Sequence, residues 1–195
     1  MRRIAIDMDD VLADTLGALL DWTHRRLGIR LTRADLHGRG LEAALGPGPA
    51  AAVEELLCEG SFFGDLPLIS GAVEVVRELA RHEEIFVVSA ATPFPGSFTP
   101  KLRWLQRHFP FVPASHVVFC GDKAIIDADD LIDDNAHIFP RFRGRGILFD
   151  APHNANVEGF LRVRSWQEVA RLFLPAGSGP RPAGRAQGPS GSSRP

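Results

Sequence analysis

Residues 3–15 read RIAIDMDDVLADT, and how this stretch is read decides the fold. Arg3 to Ile6 make a short, largely apolar run, the pattern of a buried strand, and the run ends in Asp7, with Asp9 two residues further on. In an open parallel sheet, ligands bind in the crevice beyond the C-terminal ends of the strands, so an acid pair here stands where chemistry is done. The Asp-x-Asp spacing alone is weak evidence. It recurs at Asp127 and Asp129, which read as surface acids near a turn.

Further along, short apolar runs recur at Ile85 to Val88, Val117 to Cys120, Leu131 to Ile132 and Ile147 to Phe149, with helical patterns between them. Strands alternating with helices predict an α/β fold, a parallel Rossmann-like sheet flanked by helices. Val73, Val76, Leu79 and Ala80 share one helical face, as do Leu102, Leu105 and Phe109. Thr99 followed by Pro100 predicts a helix start, and Ser165 to Glu168 reads as a capping box. Between the first and second strands lies a helix-rich stretch, with Leu16, Leu19, Leu20, Thr23 and Leu27 on one face. It is too long for a plain crossover. The expected organisation is a core of residues 1–13 and 70–174 with a small helical cap, residues 14–69, inserted after the first strand. From Pro175 onward, Gly, Pro, Ser and Arg dominate and large apolar residues are absent, so residues 175–195 are expected to be a disordered tail.

The Leu131–Ile132 strand delivers a second acid pair, Asp133 and Asp134, to the same crevice. Carboxylates gathered in a partly dry site repel one another unless a cation balances them, and hard oxygen ligands favour Mg²⁺. A phosphoryl-transfer site also needs a hydroxyl and a lysine. Ser89 closes the strand IFVVS. Lys101, early in the helix of residues 99–109, is the first choice of lysine, because the start of a helix also favours an anion. Lys123 is the second, and the sequence contains no other lysine. A carboxylate can attack phosphorus directly while a neighbouring acid moves the proton, and Asp7 and Asp9 suit those two roles. The alternative is that these acids cap turns and decorate loops.

Composition narrows the rest. The 195 residues are 45% hydrophobic and 24% charged, enough for one ordinary globular domain with a small insert. A net charge of -2, from 22 basic and 24 acidic residues, gives no global field toward a nucleic acid polymer or an acidic membrane. Any phosphate must therefore be held locally. Cys58 and Cys120 are far apart and form neither a disulfide framework nor a zinc motif. The apolar run near the N-terminus meets an acid too early for a signal peptide or membrane span, so a cytoplasmic protein is expected.

With these residues in hand, the sequence resembles the haloacid dehalogenase superfamily, whose phosphatases carry Asp-x-Asp after strand one, then Ser or Thr, then Lys, then an acidic pair. More narrowly, DMDDVLADT (7–15), FFGDLPLISGAVE (62–74), KLRWLQRHF (101–109), GDKAIIDADDLIDDN (121–135) and LFDAPHN (148–154) resemble the 5'(3')-deoxyribonucleotidases. The resemblance implies hydrolysis of nucleoside monophosphates through an aspartyl phosphate on Asp7. It implies Mg²⁺ held by Asp7, by the main-chain carbonyl of Asp9 and by Asp133, with Asp134 in support, and a phosphate gripped by Ser89 and Lys101. The expected partner is a small phosphate ester, and a homodimer is left open.

The departures concern substrate choice. Where pyrimidine-preferring relatives place an aromatic soon after the first motif, this chain has Thr15, and aromatics expected around Arg39 to Leu41 are replaced by HGRGLEA (37–43). Phe62 and Phe63 match the family and stand as candidates for substrate contact, with core packing as the alternative. Trp22 and Trp104 read as packing residues, and His153 stays outside the site. Gly121 and Asp122 fit either a phosphate opening or an ordinary tight turn. A fold-mate acting on phosphosugars, a receiver-type signalling domain and a silent nucleotide-binding module remain the competing readings.

Overall fold

A computed structural model describes residues 1–175. The predicted tail beyond residue 175 lies outside the described residues.

The described residues form a six-stranded, all-parallel sheet ordered β3-β2-β1-β4-β5-β6. The strands are β1 (Arg3–Ile6), β2 (Glu84–Ser89), β3 (Val117–Phe119), β4 (Asp130–Asp133), β5 (Arg145–Phe149) and β6 (Leu161–Val163). The first strand lies in the middle because Ile4, Ala5 and Ile6 are apolar on both faces, as a central parallel strand requires. Ile6 pairs with Val87 of β2 on one side and Ile132 of β4 on the other, so three strand ends lie side by side. Strand order reverses between β1 and β4, the switch point where a crevice opens. The sequence missed β6, three residues long and interrupted by Arg162.

The period of two along each strand divides the core. Ile4, Ile6, Val87, Ile132 and Ile147 pack with the apolar faces of α4 (Ala72–Leu79), α5 (Phe98–His108) and α6 (Trp166–Phe173). Ala5, Val88, Leu131 and Leu148 pack instead with Phe139 and Phe142, so this face is covered by the 3₁₀ segment Ala136–Arg141. Three helix readings are corrected, the last of them in part. The buried face of α4 is Ala72, Val75, Val76 and Leu79, and Val73 lies at its margin, because the spacing of three, four and seven starts at Ala72. Thr99 does not cap α5, which begins at Phe98 directly after a 3₁₀ turn, Pro95–Ser97. Pro100 is tolerated there since the first-turn amides have no partner within the helix. Ser165 does cap α6, accepting from the Glu168 amide at 3.3 Å, but the Glu168 carboxylate takes the Arg164 amide instead of that of Ser165.

Between β1 and α4 the chain runs through α1 (Thr15–Leu27), α2 (Leu41–Leu45), α3 (Pro47–Glu59) and 3₁₀ turns at Arg33–Leu36 and Ser61–Gly64. It leaves and returns through a paired neck. The Asp14 amide donates to Pro67 O and the Ile69 amide to Leu12 O, both at 2.8 Å. Trp166 fixes the loop after β1 by donating from Nε1 to Val11 O at 2.8 Å, and Trp104, fully buried, does the same for Leu66 O.

Asp10 turns the chain out of β1 with a φ of 54°, in the left-handed region, while its Oδ1 accepts the Leu16 amide at 2.8 Å. Aspartate and asparagine tolerate this conformation better than other side chains. Asp10→Ala loses both the acceptor and that tolerance, so urea denaturation is expected to show a loss of about 2 kcal/mol. Asp10→Asn should stay near the parent; a parent-like Asp10→Ala would contradict this account.

Candidate active site

Two of the central strands, β1 and β4, deliver the acids. Asp7 follows β1, its amide donating to Ile132 O at 2.9 Å, and Asp133 ends β4 with Asp134 just beyond it. Oxygens of Asp7, Asp133 and Asp134 all lie within 4.8 Å of one another, and all three residues are buried. Such a group of hard oxygen donors fits a divalent cation of the Mg²⁺ kind.

Lys123 is the cation the chain itself supplies. Its Nζ lies 2.7 Å from Asp7 Oδ1 and 2.7 Å from Asp133 Oδ2. The sequence ranked it behind Lys101, and the structure puts it directly against Asp7. Local geometry explains the placement: after β3, Asp122 Oδ1 accepts the Ala124 amide at 3.0 Å and caps the 3₁₀ turn Lys123–Ile125, which aims Lys123 inward. Asp122 itself turns outward to Arg141. Its role is that of an ordinary turn residue.

One lysine against three buried acids leaves negative charge in excess. Burial pushes the Asp7 carboxyl up to about 7, outweighing the Lys123 ammonium beside it, and Asp133 adds to the rise. Burial also raises Asp134 well above the usual carboxylate range, reinforced by Asp7 and Asp133. Burial opposes the charge on Lys123, but Asp7 and Asp133 prevail and hold it above the usual lysine value.

Asp9 faces elsewhere. Its Oδ2 takes the Lys101 ammonium and lies 3.5 Å from Ser89 Oγ, while its Oδ1 accepts from Thr15 Oγ1 at 2.9 Å. Lys101 also donates to Ser89 Oγ at 3.0 Å. Thus Asp9, Ser89 and Lys101 form a second group beside the three acids, and the Asp9 carboxylate is not part of the acidic cluster. Lys101 is buried because it shares the inner face of α5 with Trp104 and Leu105.

Phe63 is 3% exposed and belongs to the core, its ring centroid 4.3 Å from Lys101 Nζ. Phe62 meets it edge-on at 5.5 Å. Phe63 covers the lysine, and Phe62 packs on Phe63.

Two residues that the sequence did not assign to the site lie beside the acids. Asn154, 2% exposed, donates from Nδ2 to Asp134 O at 2.8 Å and to Phe149 O at 2.9 Å, tying the acidic loop to the end of β5. His153, left outside the site by the sequence reading, places Nε2 3.2 Å from Asp134 O and 3.5 Å from Asp134 Oδ2. Burial lowers its pKa. The run DAPHN gave no period from which either contact could be read.

Solved structures of haloacid dehalogenase-like proteins share this fold. A haloacid dehalogenase-like family protein of Streptococcus pneumoniae superposes with a TM-score of 0.57 at 12% identity, covering 89% of this chain and 99% of that one. A subfamily IA hydrolase of Geobacter sulfurreducens superposes with a TM-score of 0.56 at 14% identity, covering 89% and 96%. Residues 2–178 match the 5' nucleotidase, deoxy (pyrimidine), cytosolic type C protein family, and the chain belongs to that family. A Staphylococcus epidermidis protein provisionally named a 5'(3')-deoxyribonucleotidase is 42% identical over 172 residues, 88% of this chain and 96% of its own. The 5'(3')-deoxyribonucleotidase of Bacillus subtilis is 39% identical over 188 residues, covering 88% of this chain and 98% of its own. The chain is an enzyme of the nucleotidase type. Among the described residues no helix is long and apolar enough to cross a membrane.

Proposed function

We propose that this chain is a cytoplasmic Mg²⁺-dependent 5'(3')-deoxyribonucleotidase that dephosphorylates nucleoside monophosphates, chiefly deoxyribonucleotides. The observation that carries the reading is the buried Asp7 carboxylate, held against Lys123 and within 4.8 Å of the Asp133 and Asp134 oxygens. Asp7 attacks phosphorus and the ester P–O bond breaks, with Asp9 giving a proton to the leaving oxygen. Water then loses a proton to Asp9 and attacks the acyl phosphate, freeing inorganic phosphate and Asp7. Ser89 and Lys101 hold the phosphate oxygens, and Phe62 and Phe63 close the site over Lys101. Asp7, the Asp9 carbonyl, Asp133 and Asp134 would hold Mg²⁺, which supplies charge neutralisation for the transferring phosphoryl group. The insert, residues 14–69, serves as a cap that chooses the leaving group.

Phosphate release from a panel of nucleoside monophosphates and sugar phosphates, with and without Mg²⁺, tests this. Deoxyribonucleotides are expected to lead. Thr15 and the non-aromatic run Arg39 to Leu41 favour one competitor, a fold-mate acting on other phosphorylated metabolites, and sugar phosphates turned over equally well would select it.

The acids also predict a pH dependence for cation binding. A folded-state pKa of about 7 for Asp7, against 3.8 ordinarily, means the folded chain holds a proton that the unfolded chain has lost over that range. Metal-free stability therefore falls as pH rises through that window, and Asp134 acts in the same direction. A cation takes the place of those protons. Saturating Mg²⁺ is expected to raise Tm by about 5 °C at pH 8 and by little at pH 5, read by differential scanning fluorimetry. Equal shifts at both pH values would tell against the acid cluster as the cation site.

A further inference from the structure

Thr15 is the first residue of α1 and is only 7% exposed. Its amide donates to Ala13 O at 3.0 Å, so the main chain holds it in place, and β-branching restricts its χ1. Its hydroxyl donates to Asp9 Oδ1 at 2.9 Å. The other side-chain contacts of the Asp9 carboxylate, Lys101 Nζ and Ser89 Oγ, both fall on Oδ2. The two oxygens are therefore held from opposite sides. Lys101 and Ser89 come from α5 and β2, and Thr15 comes from the insert's first helix.

A carboxylate gripped at one oxygen by a lysine remains free to turn about its Cα–Cβ and Cβ–Cγ bonds, and to offer both oxygens to the ammonium. A second donor at the opposite oxygen fixes its plane. We propose that Thr15 is a positioning residue: its hydroxyl orients the Asp9 carboxyl so that the edge of the group that gives the proton, and later takes one from water, faces the leaving oxygen of the phosphate ester. The inference rests on the reading of Asp9 as the group that moves the proton. An apolar side chain at this position could not supply the donor, so the hydroxyl itself decides how the acid is held.

Thr15→Val keeps the shape and burial and removes only the donor; Thr15→Ser restores it. In steady-state assays with the best phosphate ester of the panel, Thr15→Val should lower kcat about thirtyfold, the scale of a lost hydrogen bond to a charged group, and leave KM within about twofold. Thr15→Ser should recover most of that loss, and both variants should stay folded, with Tm lowered by no more than about 5 °C. Crystal structures of the parent and Thr15→Val give a readout independent of turnover: the Asp9 carboxylate is expected to rotate toward Lys101. An unchanged Asp9 rotamer, a parent-like kcat in Thr15→Val, or a Thr15→Ser no better than Thr15→Val overturns the proposal. Failure of the wider reading looks different, since it would show as turnover by the parent that survives Asp7→Asn.

Discussion

Asp7→Asn is expected to reduce turnover at least about 10⁴-fold, the scale on which removing an enzymatic nucleophile acts. The amide nearly matches the carboxylate in size, so packing is kept. Its remaining carbonyl oxygen can still accept the Met8 amide, which reaches Asp7 Oδ1 at 2.7 Å in the parent. What disappears is a nucleophile able to form an acyl phosphate. Stability should not suffer, because burial already disfavours the charge at this position and raises the Asp7 carboxyl to about 7. The substitution removes one of three mutually repelling acids and lets Lys123 pair with Asp133 alone. The checks are phosphate release and thermal unfolding on the same preparation. Activity within tenfold of the parent, in a protein that melts normally, would sink the role of Asp7 as the attacking group.

The contrast between Asp7 and Lys123 shows which parts of the site a sequence carries. Asp7, Ser89 and Asp133 were legible because a strand's end is fixed by its own apolar run, and neighbouring parallel strands bring such ends together. Nothing more than register is needed. Lys123 was underrated because its place depends on a capped 3₁₀ turn after β3, with no period to mark it. Lys101 was found for a partly different reason from the one that buries it: the inner face of α5, with Trp104 and Leu105, turns it toward Asp9. Thr15 was read as a missing aromatic, whereas its hydroxyl meets Asp9 six residues earlier in the chain. Such contacts arise from how the turn at Asp10 folds back, a conformation with positive φ that the residue permits but does not announce. The shift of the α4 face from Val73 to Val75 has a similar origin, since several apolar residues offered two overlapping stripes and packing in the core shared with α6 chose between them.

Lys123→Met should cost more activity than Lys101→Met, reversing the order the sequence suggests. Lys123 touches Asp7 itself and bridges it to Asp133, whereas Lys101 reaches Asp9 and Ser89. Removing a fixed positive charge beside the transferring phosphoryl group is expected to lower kcat about 10²- to 10³-fold. Stability should respond as well. Lys123 has its pKa raised in the folded chain, so its contribution is fully present below the ordinary lysine value of 10.5 and is lost only at higher pH. Without it, Asp7 and Asp133 face each other uncompensated, and breaking a buried pair by deleting one partner typically costs about 3 kcal/mol. Protonation relieves that cost, so urea denaturation should show the larger deficit at pH 8 and a smaller one at pH 5. Added Mg²⁺ should narrow the gap at pH 8, because a bound cation replaces the missing charge. A Lys123→Met protein with parent-like kcat and a pH-independent stability would mean the ammonium only fills space between the acids. If Lys101→Met lost more turnover than Lys123→Met, the grip of Lys101 and Ser89 on the phosphate would outweigh the positive charge beside Asp7.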